Sequence, residues 1–315
     1  MQSSVLAADL GGTNLRMAVV DESGAVIYRS RRKTPRAGSY SDIVSMIADT
    51  AQECRDAVRT TGDPDRLSLA IPSSVRPSDG RIIYSPALPS LNGSNLAAEL
   101  SERLGVPVAL ENDANAAALG ESWLGASKDA EMSICITLGT GVGGGIILNG
   151  DIYRGVDGTA AEIGHIGIEP EGRPCGCGSR GCLEQYASAT AIRRIAEELM
   201  AQYPNSTLKN ARNLNAHMIF EAGKKGDELA LEVFRTMGYY LGIGLASLTN
   251  LLNPEVIVIG GGAAAGWEMF IGHVRKEIKD RAFREPAERV KLVRAELGDD
   301  AGILGAARLA FLAKT

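Results

Sequence analysis

No run of this 315-residue chain approaches the eighteen or so consecutive apolar residues that a membrane-spanning helix needs. Nor does the N-terminus carry a basic segment followed by a long apolar stretch, so no secretory signal is expected and the expected compartment is the cytoplasm. A basic excess is missing as well. The formal net charge is −5, which gives no general attraction to nucleic acid or to an anionic membrane, and neither is expected as a partner. Hydrophobic residues make up 45% and charged residues 23%, the balance of an ordinary globular protein. The length is enough for two domains. Cysteine is scarce and odd in number, five in all, with three inside one eight-residue window. In a reducing compartment such a cluster points to metal before disulfide.

What is present is organised around Glu111-Asn112-Asp113-Ala114-Asn115-Ala116-Ala117-Ala118. Val106 to Leu110 reads as a short apolar strand. The alanine-rich run reads as a helix, since alanine costs least there. Asn112 and Asp113 therefore fall where a strand ends and a helix begins, the sheet edge at which open α/β folds bind ligands. Two readings of Asp113 stand on this stretch alone. It caps the helix, as Asp and Asn commonly do, or its carboxylate accepts the proton of a substrate hydroxyl.

Ser4 to Leu10 reads as an apolar strand with Asp9 near its end. Gly11-Gly12-Thr13-Asn14 is a turn, and Leu15 to Val20 and Ala25 to Tyr28 complete a β-meander. Glycines let a backbone approach a ligand closely, and their N–H groups can face phosphate oxygens. Asp9 at the mouth suits a magnesium ion held through water. The plain alternative is a hairpin whose glycines serve only the turn. Ser41 to Thr60 has helical spacing, with Cys54 as a packed core thiol. Leu67 to Ile71 is a buried strand that Pro72-Ser73-Ser74 ends at the same sheet edge, and Ser94 to Leu104 reads as a helix.

Met132 to Leu138, the turn Gly139-Thr140-Gly141 with further glycines through Gly145, and Ile146 to Leu148 repeat the N-terminal order. Such duplication suggests two related half-folds facing a cleft, their glycine turns gripping one phosphate chain from opposite sides. Glu255 to Ile259 is a buried strand running into Gly260-Gly261-Gly262, where Gly261 and Gly262 make either a nucleotide seat or a close helix–strand packing. Ser188 to Tyr203, Glu228 to Leu252 and Gly302 to Leu312 are helical by period. The second of these puts Met237, Leu241, Leu245, Leu248 and Leu252 in a core, and the last returns to the first domain. The expected division sets residues 1–113 with 300–315 in a small N-terminal domain and 114–299 in a larger C-terminal one.

His165, Cys175, Cys177 and Cys182 stand in or beside a glycine-rich loop. Three thiolates and an imidazole match a closed, four-coordinate structural zinc site, and metal binding would supply much of that loop's order. Zinc would also orient His165, whose second ring nitrogen can then reach a substrate. Glu162 and Glu184 flank the loop. Several carboxylates, an asparagine and a histidine suit a neutral polyhydroxylated substrate better than an anionic one.

The chain resembles the ROK family of sugar kinases and repressors, within the sugar kinase/actin-like superfamily. The likeness rests on Asp9-Leu10-Gly11-Gly12-Thr13, Glu111-Asn112-Asp113-Ala114-Asn115, Leu138 to Gly145, Glu162-Ile163-Gly164-His165, and Cys175-Gly176-Cys177-Gly178 with Gly181-Cys182-Leu183-Glu184. It implies an α/β, two-domain actin-like fold of hexokinase and ribonuclease H type, with ATP and magnesium in the cleft between the domains. It implies Asp113 as catalytic base, with Asn112, Glu162, His165 and Glu184 on sugar hydroxyls. It also implies structural zinc at His165, Cys175, Cys177 and Cys182, and a homodimer or homotetramer. The expected reaction is phosphorylation of a hexose or N-acetylhexosamine by ATP, at C6. Ser73-Ser74, Ala87 and Ala161 depart from the usual glucokinase pattern, which leaves glucose, N-acetylmannosamine, N-acetylglucosamine, fructose and allose open. The rival from another class is a sugar-sensing regulator without its DNA-binding domain. Only a few residues precede Asp9, too few for such a domain, so the kinase is the expectation.

Overall fold

The computed structural model describes residues 3–35, 38–60 and 62–313. In chain order the elements are β1 (Ser4–Leu10), β2 (Asn14–Asp21), β3 (Val26–Lys33), α1 (Tyr40–Val58), β4 (Leu67–Ile71), β5 (Ser74–Val75), β6 (Ile82–Tyr84), α2 (Leu96–Leu104), β7 (Val108–Asn112) and α3 (Asp113–Leu124). They continue with β8 (Met132–Leu138), β9 (Val142–Leu148), β10 (Asp151–Ile152), α4 (Glu184–Ala187), α5 (Ala189–Leu199), α6 (Ala216–Lys224), α7 (Glu228–Leu252), β11 (Val256–Gly260), α8 (Trp267–Arg281), α9 (Arg284–Arg289), β12 (Lys291–Arg294) and α10 (Ala301–Leu312). Among the described residues, no helix is long and apolar enough to cross a membrane.

The chain divides into two compact units, one of residues 1–131, 145–161 and 296–315, the other of residues 132–144 and 162–295. In the first, the sheet order is β3-β2-β1-β4-β7. β1 pairs antiparallel with β2 and parallel with β4, which pairs parallel with β7. The period of two in β1 makes both faces of the sheet. Leu6, Ala8 and Leu10 enter a core with residues of α1 and α2, while Val5 and Ala7 enter another with residues of α3 and α10. β3 runs well beyond the expected Tyr28 because its last residues alternate half-buried and exposed. Arg29, Arg31 and Lys33 point outward there, the charged edge by which a sheet avoids pairing with strangers.

The expected domain boundary at 113/114 differs from this division, since α3 belongs wholly to the first unit. Helices α3 and α10 cross on glycine. A Cβ on Gly120 would lie 2.4 Å from the Ala301 carbonyl oxygen, and one on Gly305 would lie 1.7 Å from that of Ala116. The buried Glu121 carboxylate then accepts from the N–H groups of Ala126, Glu296 and Leu297 at 2.8, 3.2 and 2.9 Å. This fastens the chain as it re-enters the unit.

The second sheet has the order β10-β9-β8-β11-β12, matching the first strand for strand, and the division between the units falls within β9. In α7, Met237, Leu241, Leu245 and Leu248 are buried as the spacing requires, whereas Leu252 is only half-buried at the helix end. The run expected as one helix from Ser188 to Tyr203 is α5 followed by a 3-10 turn at Met200–Gln202.

Candidate active site

In the first unit, the parallel register sets Asp9 beside Ala70, and Ile71 beside Asn112. The carboxyl ends of β1, β4 and β7 therefore share one edge. It carries the Gly11-Gly12-Thr13 turn, the Pro72-Ser73-Ser74 turn and the Asn112-Asp113 junction. The two sequence readings of that junction are divided between neighbours. Asn112 is the cap: its Oδ1 accepts from the N–H groups of Ala114 and Asn115 at 2.9 and 3.1 Å. Its Nδ2 donates to the Ser73 carbonyl at 3.4 Å. Asp113, the first residue of α3, is exposed, with Oδ1 accepting from the Ala114 N–H at 2.9 Å.

Under this pair lies the buried Glu111, which accepts from the N–H of Asn112, from Asn115 Nδ2 and from Arg154 Nε. Asp9 is ion-paired with Arg16, and Arg16 also reaches Asp299 at 3.5 Å. A Cβ on Gly302 would stand 3.2 Å from Asp9 Oδ2, so the Asp9 carboxylate lies at the amino end of α10, where helix polarity favours negative charge. The buried hydroxyl of Ser73 donates to that of Ser85 at 2.7 Å, and the Ser85 N–H donates to Asn92 Oδ1 at 2.7 Å. Ala87 packs beside Gly12, its Cβ 3.6 Å from where a Gly12 side chain would begin.

In the second unit, the Gly139-Thr140-Gly141 turn joins β8 to β9. Glu184 belongs to this turn as much as to the loop it was expected to serve: its Oε2 accepts from the Val142 N–H at 3.1 Å, and a Cβ on Gly141 would collide with it at 2.2 Å. Glu162 is exposed. Desolvation by surrounding protein raises its pKa, with Glu184 adding to the rise and His165 opposing it. A cavity of roughly 370 Å³ opens beside the turn, lined by Gly139, Thr140, His217, Phe220, Phe234 and Gly262 among others. That is within the range of small-ligand sites. Gly261 has φ +87° and lies where a Cβ would meet the Leu138 carbonyl oxygen at 2.5 Å, whereas Gly262 lines the cavity.

The side chains of His165, Cys175, Cys177 and Cys182 converge, their ligand atoms all within 4.8 Å of one another. Cys175 Sγ lies 3.6 Å from His165 Nδ1, and Cys177 Sγ lies 3.6 Å from Cys182 Sγ. Tetrahedral zinc with Zn–S bonds of about 2.3 Å would set its sulfurs about 3.8 Å apart, so the donors fit that ion with little movement. Burial and the neighbouring thiols push Cys182 up to about 12, while the Ser179 N–H holds Cys177 below the usual thiol range. A zinc ion bound here would hold all three sulfurs as thiolates.

Comparison with known proteins decides the family: the ROK family model matches residues 5–312. The chain belongs to the ROK family. A glucokinase of Thermotoga maritima is 35% identical over 309 residues, 97% of this chain and 96% of that protein. The solved ROK family glucokinase from Streptomyces griseus, in complex with glucose and AMPPNP, has a TM-score of 0.81 and 33% identity over 98% of this chain and 99% of that one. A ROK family transcriptional regulator, a homologue of the E. coli MLC protein, has a TM-score of 0.90 and 28% identity, covering 98% of this chain but 78% of its own. The fold is the two-domain actin-like α/β fold of the ROK hexokinases.

Within this ROK chain, the first unit gathers Asp9, Gly11, Gly12, Thr13, Asn112 and Asp113 at one sheet edge. The second gathers Gly139, Thr140, Gly141, Glu184 and Gly262, and separately the metal-type cluster. Five residues escaped the sequence: Arg16, Thr34, Glu111, Arg154 and Thr190. Thr34, Thr190 and the Glu111–Arg154 pair act through partners distant in the chain, whereas Arg16 faces Asp9 across the β1–β2 hairpin. Only Glu111, in a motif already singled out, carried any local signal.

Proposed function

We propose that this protein is an ATP-dependent hexose kinase that transfers the γ-phosphoryl group to a hexose or N-acetylhexosamine hydroxyl at C6. The observation that carries the reading is the exposed Asp113 carboxylate at the carboxyl edge of the sheet, beside the Gly11-Gly12-Thr13 turn on the same edge. Glucokinase relatives and the glucose- and AMPPNP-bound neighbour agree with it. Asp113 takes the hydroxyl proton as the oxygen attacks. Asn112, Glu162, His165 and Glu184 hold the remaining sugar hydroxyls. The N–H groups of both glycine turns bind phosphate oxygens, and the cavity at Phe220 and Gly262 takes the adenosine. Positioning supplies most of the acceleration.

Asp9 offers a single carboxylate, which suits a magnesium ion held through water, and that ion supplies neutralisation of phosphate charge. His165, Cys175, Cys177 and Cys182 would hold structural zinc. With Nδ1 turned to the thiols, His165 keeps Nε2 for the sugar. A cytoplasmic location supplies the ATP and keeps the thiols reduced. The assembly in this reading is a homodimer or homotetramer, for which the exposed Leu251 and Phe283 offer apolar surface.

The test is Asp113→Asn in a coupled ADP-release assay over glucose, mannose, fructose, allose, N-acetylglucosamine and N-acetylmannosamine. The turnover number should fall by about a hundredfold or more, with melting temperature kept, because asparagine retains an acceptor for the Ala114 N–H. Near-normal turnover removes Asp113 from the base role. Likeness to the MLC-type regulator favours one second reading, a sugar sensor. It would be supported if sugars raised the melting temperature and none drove ADP release.

A further inference from the structure

We infer that Thr34 and Thr190 are positioning residues, one for each glycine turn, which lock the turns' carbonyl oxygens so that their N–H groups stay aimed at the nucleotide's phosphates. The inference rests on the kinase reading and adds to it a pair of side chains outside every glycine motif.

Glycine adopts positive and negative φ with similar ease, so the peptide planes of a glycine turn can flip. A flip would bring a carbonyl oxygen to the place where an N–H is needed, and oxygen repels phosphate. In a trans peptide the C=O and the following N–H point in opposite directions from one plane. Anchoring the carbonyl on the protein side therefore points the next N–H away from it, toward the ligand.

Both turns are anchored in this way, each within its own unit. Thr34 follows β3 and is only 4% exposed. Its hydroxyl donates to the Gly11 carbonyl at 2.7 Å, and its N–H donates to the Thr13 carbonyl at 2.9 Å. The first bond fixes the plane that carries the Gly12 N–H. Thr190 stands in the first turn of α5, and its hydroxyl donates to the Thr140 carbonyl at 2.8 Å. That bond fixes the plane carrying the Gly141 N–H. The neighbouring Ala189 N–H donates to the Gly139 carbonyl at 2.8 Å and fixes the plane carrying the Thr140 N–H. Among the described residues, the N–H groups of Gly12, Thr140 and Gly141 make no hydrogen bond to protein. The same outcome is reached from unrelated local structures, a strand end in one unit and a helix start in the other.

The experiment compares Thr34→Val, Thr190→Val and both together with Thr34→Ser and Thr190→Ser. The readouts are AMPPNP affinity by calorimetry with magnesium present, KM for ATP and for the sugar separately, and melting temperature. Valine keeps the shape and removes the donor, so each valine variant should weaken AMPPNP binding about fivefold, the worth of one net hydrogen bond. KM for the sugar should stay unchanged, and each serine variant should return nucleotide affinity to within about twofold of the parent. Valine variants that bind AMPPNP as the parent does, or serine variants as weak as valine, overturn the inference. Thr190 is exposed, so Thr190→Val decides the matter even if Thr34→Val does not fold. A parent protein that fails to bind AMPPNP would instead overturn the kinase reading itself.

Discussion

Replacing Glu111 by alanine should cost about 3 kcal/mol of the stability of the first unit. The residue is 4% exposed, and its carboxylate accepts from Arg154 Nε at 2.7 Å and from Asn115 Nδ2 and the Asn112 N–H at 3.0 Å each. Bonds to a charged group are worth about 1.5–3 kcal/mol each. All three share one desolvation cost, however, so the cost of breaking a buried pair, about 3–5 kcal/mol, is the better guide. The Arg154 side chain keeps 29% exposure, so water recovers part of the stranded charge and the lower end of that range applies. In a domain of this size the melting temperature should fall by roughly 6–12 °C. Urea and thermal melts of Glu111→Ala, Arg154→Ala and the double variant measure the effect. The two single costs should overlap strongly in the double variant, and turnover should fall as well, because the carboxylate holds Asn112 and, through Asn115, the first turn of α3 in which Asp113 stands. Costs that simply add, within about 0.5 kcal/mol, would refute the coupling and with it the claim that this pair supports Asn112 and Asp113.

Two further outcomes concern the cysteines. Titrating the cluster with a mercurial in the presence of a metallochromic dye should release one zinc per chain, and Cys177→Ser should abolish that release and lower the melting temperature; a purified chain with no zinc and an unchanged melt with or without chelator would count against the site. Burial pushes the Cys54 thiol up to about 12 from its ordinary 9.0, so the folded chain keeps a proton that the unfolded chain sheds above pH 9. Its contribution to stability is intact below pH 9 and declines as pH climbs toward 12. Cys54→Ala should flatten that decline, and Cys54 should resist thiol reagents at pH 8 until the chain unfolds; reaction at the rate of a free thiol would contradict its burial.

What was legible in the sequence was local. A glycine turn, an Asn-Asp junction between strand and alanine-rich helix, and cysteines two and five residues apart each carry their meaning within a few positions, and the structure brings the metal-type ligands together as their spacing suggests. The repeated order of strand and turn was legible too, and it reappears as two sheets of the same strand order. The unread parts depend on contacts between distant segments. The expected boundary fell after Asp113, at the start of the central helix. Gly120 and Gly305 instead allow α3 and α10 to cross at backbone contact, and nothing near residue 120 announces residue 305. Arg154 could not be paired with Glu111 from spacing, because alternation in a strand says which face a side chain takes and not what waits there; Arg16 stands opposite Asp9 in the β1–β2 hairpin and went unread although the expected meander held both. Glu184 was expected only on a sugar hydroxyl, yet one of its oxygens is already committed to the Val142 N–H.

That commitment has a counterpart in the first unit. Asn112 gives its Oδ1 to the first N–H groups of α3 and one Nδ2 hydrogen to the Ser73 carbonyl, so what it has to offer a sugar is its second Nδ2 hydrogen. The consequence is a division of labour: a neutral side chain closes the helix start and ties it to the turn after β4. The charged neighbour, one residue on, is exposed and shares the Ala114 N–H with that cap. Were the cap itself the charged group, any substrate that took its oxygen would unpin the helix that aims it. Glu184 holds the Val142 N–H with Oε2, and on the kinase reading Oε1 meets the sugar. On the kinase reading, the group that meets the substrate is separated in both units, by one residue or by one oxygen atom, from the group that holds the backbone still.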